Sequence, residues 1–75
     1  MEFKDFFKGR LREIRQKSGE TQAQVAAAIG TATRYYQKLE SGENLPGAEL
    51  LIALADHFDV SLDYLAGRAE KKKTL

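Results

Sequence analysis

The chain has 75 residues, 43% hydrophobic and 31% charged, with one histidine and no cysteine. That balance belongs to a small folded domain rather than a disordered tail, and it excludes a disulfide framework, a thiolate nucleophile and a cysteine-built zinc site. The formal charge of +1 is unevenly spread, with eight Lys/Arg against six Asp/Glu over residues 1–45, one against five over 46–70 and three lysines in 71–75, so a phosphate-bearing partner is expected at the N-terminal half or the tail.

Apolar residues recur at helical spacing and predict an all-α domain of five short helices over residues 1–70, followed by a basic tail, 71–75, expected to be disordered. The N-terminal MEFKDFFKGR mixes acids with bases and has no apolar h-region, so it does not read as a secretory signal. No apolar run approaches the roughly 20 residues that span a bilayer, and a cytoplasmic location is expected.

The first helix is expected from about Lys4 to Lys17, with Phe7, Leu11 and Ile14 inward and Phe3 adding a turn. Phe6 lies off that stripe, either partly exposed or against another element. ETQAQVAAAIG gives the clearest start signal: Thr21 and Gln24 form a T-x-x-Q capping box, and Gly30 ends the helix about two turns later. A third helix begins at Ala32 or Thr33 and stops before Gly42. The fourth follows Pro46-Gly47, with Leu51, Leu54, Ala55 and Phe58 inward and Ile52 at the margin. In DVSLDYL, Ser61 caps a fifth helix and Val60 can staple it to Leu65.

The adjacent pair Tyr35-Tyr36 cannot share one inward face. With Tyr36 inside beside Leu39, residues Thr33, Arg34, Gln37 and Lys38 form one exposed stripe without an acid, and Tyr35 flanks it. The buried hydroxyl of Tyr36 must then find a partner or reach the surface. Two short helices across a tight turn make a helix-turn-helix, whose second helix can enter the major groove. Arg34 and Lys38 suit guanine O6/N7, Gln37 suits adenine N6/N7, and Gln22 starts a helix whose first amides can seat a phosphate.

The stretches GRLREIRQKSGETQAQVAAAIG, TATRYYQKLESG and LPGAELLIALADHFDVSLDYLAG, in that order and spacing, resemble the Cro/C1-type (XRE-like) helix-turn-helix family. The resemblance covers roughly residues 9–67 and implies a lambda-repressor-like DNA-binding domain with a central helix-turn-helix. It implies a positioning helix at 22–29 and a recognition helix at 33–40. Thr33, Arg34, Gln37 and Lys38 fall on base- and backbone-contacting positions and are expected to read bases. Gln22 and Asn44 fall along the DNA backbone, Gln22 also bracing the reading residues, and Tyr35, flanking the stripe, is expected at the backbone too. Arg15 and Glu40 match a structural ion pair of the family. The function implied is sequence-specific double-stranded DNA binding by a transcriptional regulator, a repressor, acting as a homodimer on a palindromic operator. Glu20, Ala32 and Tyr36 depart from the pattern, standing where an apolar residue, a capping Ser or Thr, and a smaller aliphatic residue are usual. At the second of these, either Thr31 caps one residue earlier or the cap is missing.

Other functions find little support. Ser18, Ser41 and Ser61 have no activating neighbours in sequence, and His57 reads as a titrating surface residue or a dimer contact. Glu49, Asp56, Asp59 and Asp63 lack the glycine-bearing loop of a calcium site and read as a solvated acidic face. No enzyme, metal, cofactor or small-molecule ligand is expected, nor a separate sensing domain. A non-enzymatic protein-interaction module or antitoxin-like regulator on the same fold is the alternative. A dimer patch is expected from Leu50, Ala53 and His57, extended by Leu45, Phe6 and Leu65.

Overall fold

The computed structural model describes residues 3–68, which form α1 (Phe3–Ser18), α2 (Gln22–Ala28), α3 (Thr33–Ser41), α4 (Ala48–Phe58) and α5 (Leu62–Leu65). The basic tail expected at 71–75 lies outside the described residues. Among the described residues there is no strand, and no helix is long and apolar enough to cross a membrane.

The amphipathic stripe of α1 is the centre of the packing. Phe7 and Leu11 are fully buried and Ile14 nearly so, against α3, α4 and α5. Phe3 extends the stripe as a rim: it stays half-exposed but stacks on Phe7 with ring centroids 5.5 Å apart. The core is completed by Val25 and Ala26 of α2, Tyr36 and Leu39 of α3, Leu54 and Ala55 of α4, and Tyr64 and Leu65 of α5. Ile29, Leu50, Leu51, Phe58 and Val60 pack partly buried around it.

Local chemistry sets the helix ends. Thr21 Oγ1 accepts the Gln24 N–H at 3.1 Å, and Gln24 Oε1 accepts the Thr21 N–H at 2.8 Å, so the expected capping box is formed at both halves. Gly30 at φ 78 then turns the chain, and its N–H reaches Ala27 O while that of Thr31 reaches Ala26 O. These bonds satisfy the orphan carbonyls at the end of α2 and set α3 directly against it. Thr31 gives its backbone N–H to the turn, and the helix cap falls one residue later, so Thr31 does not cap α3. Ala32 takes the cap position with extended φ and ψ and supplies no side-chain bond, so the cap is missing. Ser61 Oγ accepts the Tyr64 N–H at 3.0 Å and caps α5.

Phe6, left open by periodicity, belongs to a join between the first and last helices. Arg10 lies over the rings of Phe6 and Tyr64, 4.9 and 4.0 Å from their centroids, and its Nη1 donates to Tyr64 O at 2.9 Å. The Phe6 ring covers Gly67, whose φ of 83 lets the chain pass beneath it. Leu65 does not belong to a surface patch: it is wholly buried, because the single turn of α5 rolls both Tyr64 and Leu65 inward. The expected dimer patch is corrected accordingly. Leu50 also leans on the core, and among the described residues the half-exposed large apolar side chains are Phe3, Leu45, Ile52 and Leu62.

Candidate nucleic-acid interface

Tyr36 is fully buried, which turns the opposite side of α3 outward. Thr33, Arg34 and Gln37 are exposed there and Lys38 is half-buried beside them, so the four residues share one face as the periodicity predicts. Tyr35 flanks this face but also packs partly into the core. Asn44 sits half-buried in the turn after α3, its N–H bonded to Lys38 O at 3.2 Å.

Arg34, Gln37 and Lys38 line a shallow hollow with Ser41 and Glu43. The acid at 43 was missed in a stripe read only along one helix. Gly42 at φ 87 folds the chain back, and Ser41 Oγ accepts the Glu43 N–H at 3.3 Å. The Ser-Gly-Glu sequence is the signal for that return.

Behind the face lies a buried polar cluster centred on Glu40, whose residue surface is only 5% exposed. Arg15 grips it with two parallel bonds, Nε to Oε2 at 2.6 Å and Nη2 to Oε1 at 3.0 Å. Tyr36 Oη donates to Oε2 at 2.5 Å and Gln22 Nε2 to Oε1 at 3.1 Å. The buried phenol therefore finds its partner one helical turn along its own helix. Four donors meet the four lone-pair sites of the carboxylate. Burial pushes the Glu40 pKa up, but the hydrogen bonds from Arg15, Tyr36 and Gln22 outweigh it and hold the group below the ordinary carboxylate value. The bond to Glu40 raises Arg15, and burial, reinforced by that carboxylate, raises Tyr36.

Gln22 is half-buried rather than freely exposed, and its side chain is committed on both ends. While Nε2 holds Glu40, Oε1 accepts from Gln37 Nε2 at 3.3 Å. The start of α2 and the outer face of α3 are thereby linked side chain to side chain.

Glu20 and His57 also come together, which sequence reasoning missed. His57 Nε2 stands 2.8 and 3.0 Å from the two Glu20 carboxylate oxygens, and the Glu20 carbonyl accepts from Arg15 Nη1 at 3.0 Å. The two residues are 37 positions apart, beyond any local pattern, although an acid in place of an expected apolar residue was a hint. Among the described residues, no three His, Asp or Glu side chains converge as a metal site.

An all-α bundle whose second and third helices meet across a tight turn, with a braced polar face on the latter, is a helix-turn-helix domain. The helix-turn-helix family profile matches residues 11–65, and the chain belongs to that family, in its Cro/C1-type branch. The relatives that it matches are named as transcriptional regulators, not as enzymes. The chain is 46% identical over 61 residues to the cryptic phage CTXphi transcriptional repressor RstR of Vibrio cholerae, covering 81% of this chain and 54% of that protein. It is 40% identical over 65 residues to the HTH-type transcriptional regulator AnsR of Bacillus subtilis, covering 87% and 56%. A third relative, the B. subtilis regulator ImmR, is 34% identical over 64 residues, covering 85% and 50%. The chain thus spans about half the length of these relatives. No solved structure matches it.

Proposed function

We propose that this protein is a sequence-specific double-stranded DNA-binding transcriptional regulator that acts as a repressor, with α3 in the major groove. The carrying observation is the single outward face of Thr33, Arg34, Gln37 and Lys38, braced from behind through Gln22. Arg34 and Lys38 supply donors for guanine and Gln37 an amide for adenine. Gln22, Tyr35 and Asn44 border the face and lie along the sugar-phosphate backbone. The repressor assignment follows the name of the V. cholerae relative. A cytoplasmic homodimer on a palindromic operator fits the groove geometry, since two recognition helices about 34–36 Å apart meet one side of the duplex.

Selection from randomised duplexes tests the reading. Arg34→Ala should weaken the preferred site by about 1–3 kcal/mol and random DNA much less. Affinity should fall with salt at a log–log slope of about −0.9 per phosphate neutralised. Absence of any duplex binding at low salt overturns the proposal. Sedimentation of the complex tests the dimer, and a 1:1 complex on an asymmetric site rejects it.

A further inference from the structure

Three acids stand near the junction of α1 with α2 and α3, and each already has a basic partner. Glu13 lies 4.0 Å from Arg10, Glu20 faces His57 at 2.8 Å, and Glu40 is gripped by Arg15 at 2.6 Å. Arg12 is left without an acid of its own. Its Nε stands 4.0 Å from Glu40 Oε1, too far for a hydrogen bond. That oxygen already accepts from Arg15 Nη2 at 3.0 Å and Gln22 Nε2 at 3.1 Å. The attraction therefore places the guanidinium without using its five donors, and the side chain stays 61% exposed. Because Arg15 balances the carboxylate, the group of Arg12, Arg15 and Glu40 carries one uncompensated positive charge.

The place of that charge gives it a use. Arg12 approaches Glu40 Oε1 from α1, and Gln22 approaches the same oxygen from the first position of α2, so the two side chains are neighbours. Gln22 in turn touches Gln37 on the outer face of α3. One turn earlier on α1, the stem of Lys8 lies over Gly42, where a Cβ would stand 2.8 Å from its Cδ. This side of α1 thus follows the end of α3 from Glu40 to Gly42. Lys8 spends its stem on that packing, whereas Arg12 keeps its head group in water. We propose that Arg12 is a DNA-contacting residue outside the helix-turn-helix: its guanidinium takes a backbone phosphate beside Gln22 and makes α1 a third element of the interface. The proposal rests on the DNA-reading function above. A guanidinium matches two phosphate oxygens with parallel N–H groups, and such a contact holds every sequence alike because phosphates carry no base identity.

The test is the affinity of wild type, Arg12→Ala, Arg12→Lys and Lys17→Ala for the selected site and for a random duplex, across a tenfold range of salt. Loss of one phosphate contact should make the log–log slope of Arg12→Ala shallower by about 0.9, so its deficit against wild type shrinks about eightfold from the lowest salt to the highest. The deficit should be similar on both duplexes, with the preferred sequence unchanged. Arg12→Lys keeps the charge and should keep most of the slope. Lys17→Ala removes the same charge from the end of α1, beside Phe58 and Asp59, and should leave the slope as it is. The denaturant midpoint of Arg12→Ala should match wild type, since no hydrogen bond is lost. An unchanged slope overturns the contact, and an equal change in Lys17→Ala reduces it to net charge. A loss confined to one base pair makes Arg12 a base reader instead, and a lowered midpoint with affinity retained makes it a support for Glu40; either result rejects the proposal. A wild type that binds no duplex at low salt fells the DNA-reading function and Arg12's part in it together. A wild type that binds while Arg12→Ala equals it rejects Arg12 alone.

Discussion

A carboxylate taken out of water must have each lone pair met, and Glu40 meets them with Arg15, Tyr36 and Gln22. Because its pKa is held below the ordinary 4.5, the ionised form belongs preferentially to the folded state. The stability this contributes is complete above the ordinary value and is lost as pH falls through the lower folded-state value. Acid unfolding followed by circular dichroism should therefore steepen below pH 4.5. Glu40→Gln should be less stable than wild type near neutrality yet show a flatter acid limb. An unchanged limb would mean that other carboxylates carry the acid sensitivity. The Arg15–Glu40 pair itself was legible only through the family resemblance, since opposite charges on separate helices show no contact by themselves. The Tyr36 bond was half legible: the phenol's need for a partner was evident, but its identity required knowing that Glu40 lies inside.

Two consecutive helices start in opposite ways. α2 begins with a reciprocal capping box, and α3 begins at Ala32 with its first amides lacking any side-chain partner. A substitution that restores the oxygen should raise stability, since a Ser or Thr at this position is worth about 1 kcal/mol over alanine. Ala32→Ser is thus expected to increase the denaturant midpoint without changing its slope. No gain would show that the amides of α3 are already satisfied by water. Capping was readable because it depends on residues three apart, and the helix bounds followed to within about a turn for the same reason. The Glu20–His57 contact was not readable, because it is made by the packing of α4 beside the start of the helix-turn-helix. Their side chains are 23% and 30% exposed for His57 and Glu20, enough for water to weaken the pair. Glu43 escaped for a different reason: a glycine turn returns it to a face that the helical period assigns only to residues 33–38.

At the scale of the whole molecule, the five-helix architecture was legible because every helix carries its own apolar stripe or cap. What the stripes leave open is how much of each short helix the others cover. Leu65 illustrates the gap: alternation over four residues of α5 cannot tell a rim position from a core one, and the packing of α1 across α5 decides it. The join at Arg10 has a further consequence for how the domain breathes. A four-residue helix has almost no stability alone, and a terminal turn would ordinarily fray far more often than the core opens. Here the guanidinium is held between one ring from α1 and one from α5, with a bond to the last helix's backbone. The amides of α5 should then exchange their hydrogens at the slow rate of α1, as one cooperative unit. Arg10→Ala should speed exchange selectively in α5, leaving α2 and α3 protected. Fraying would begin in α5 rather than in the helices proposed to meet DNA.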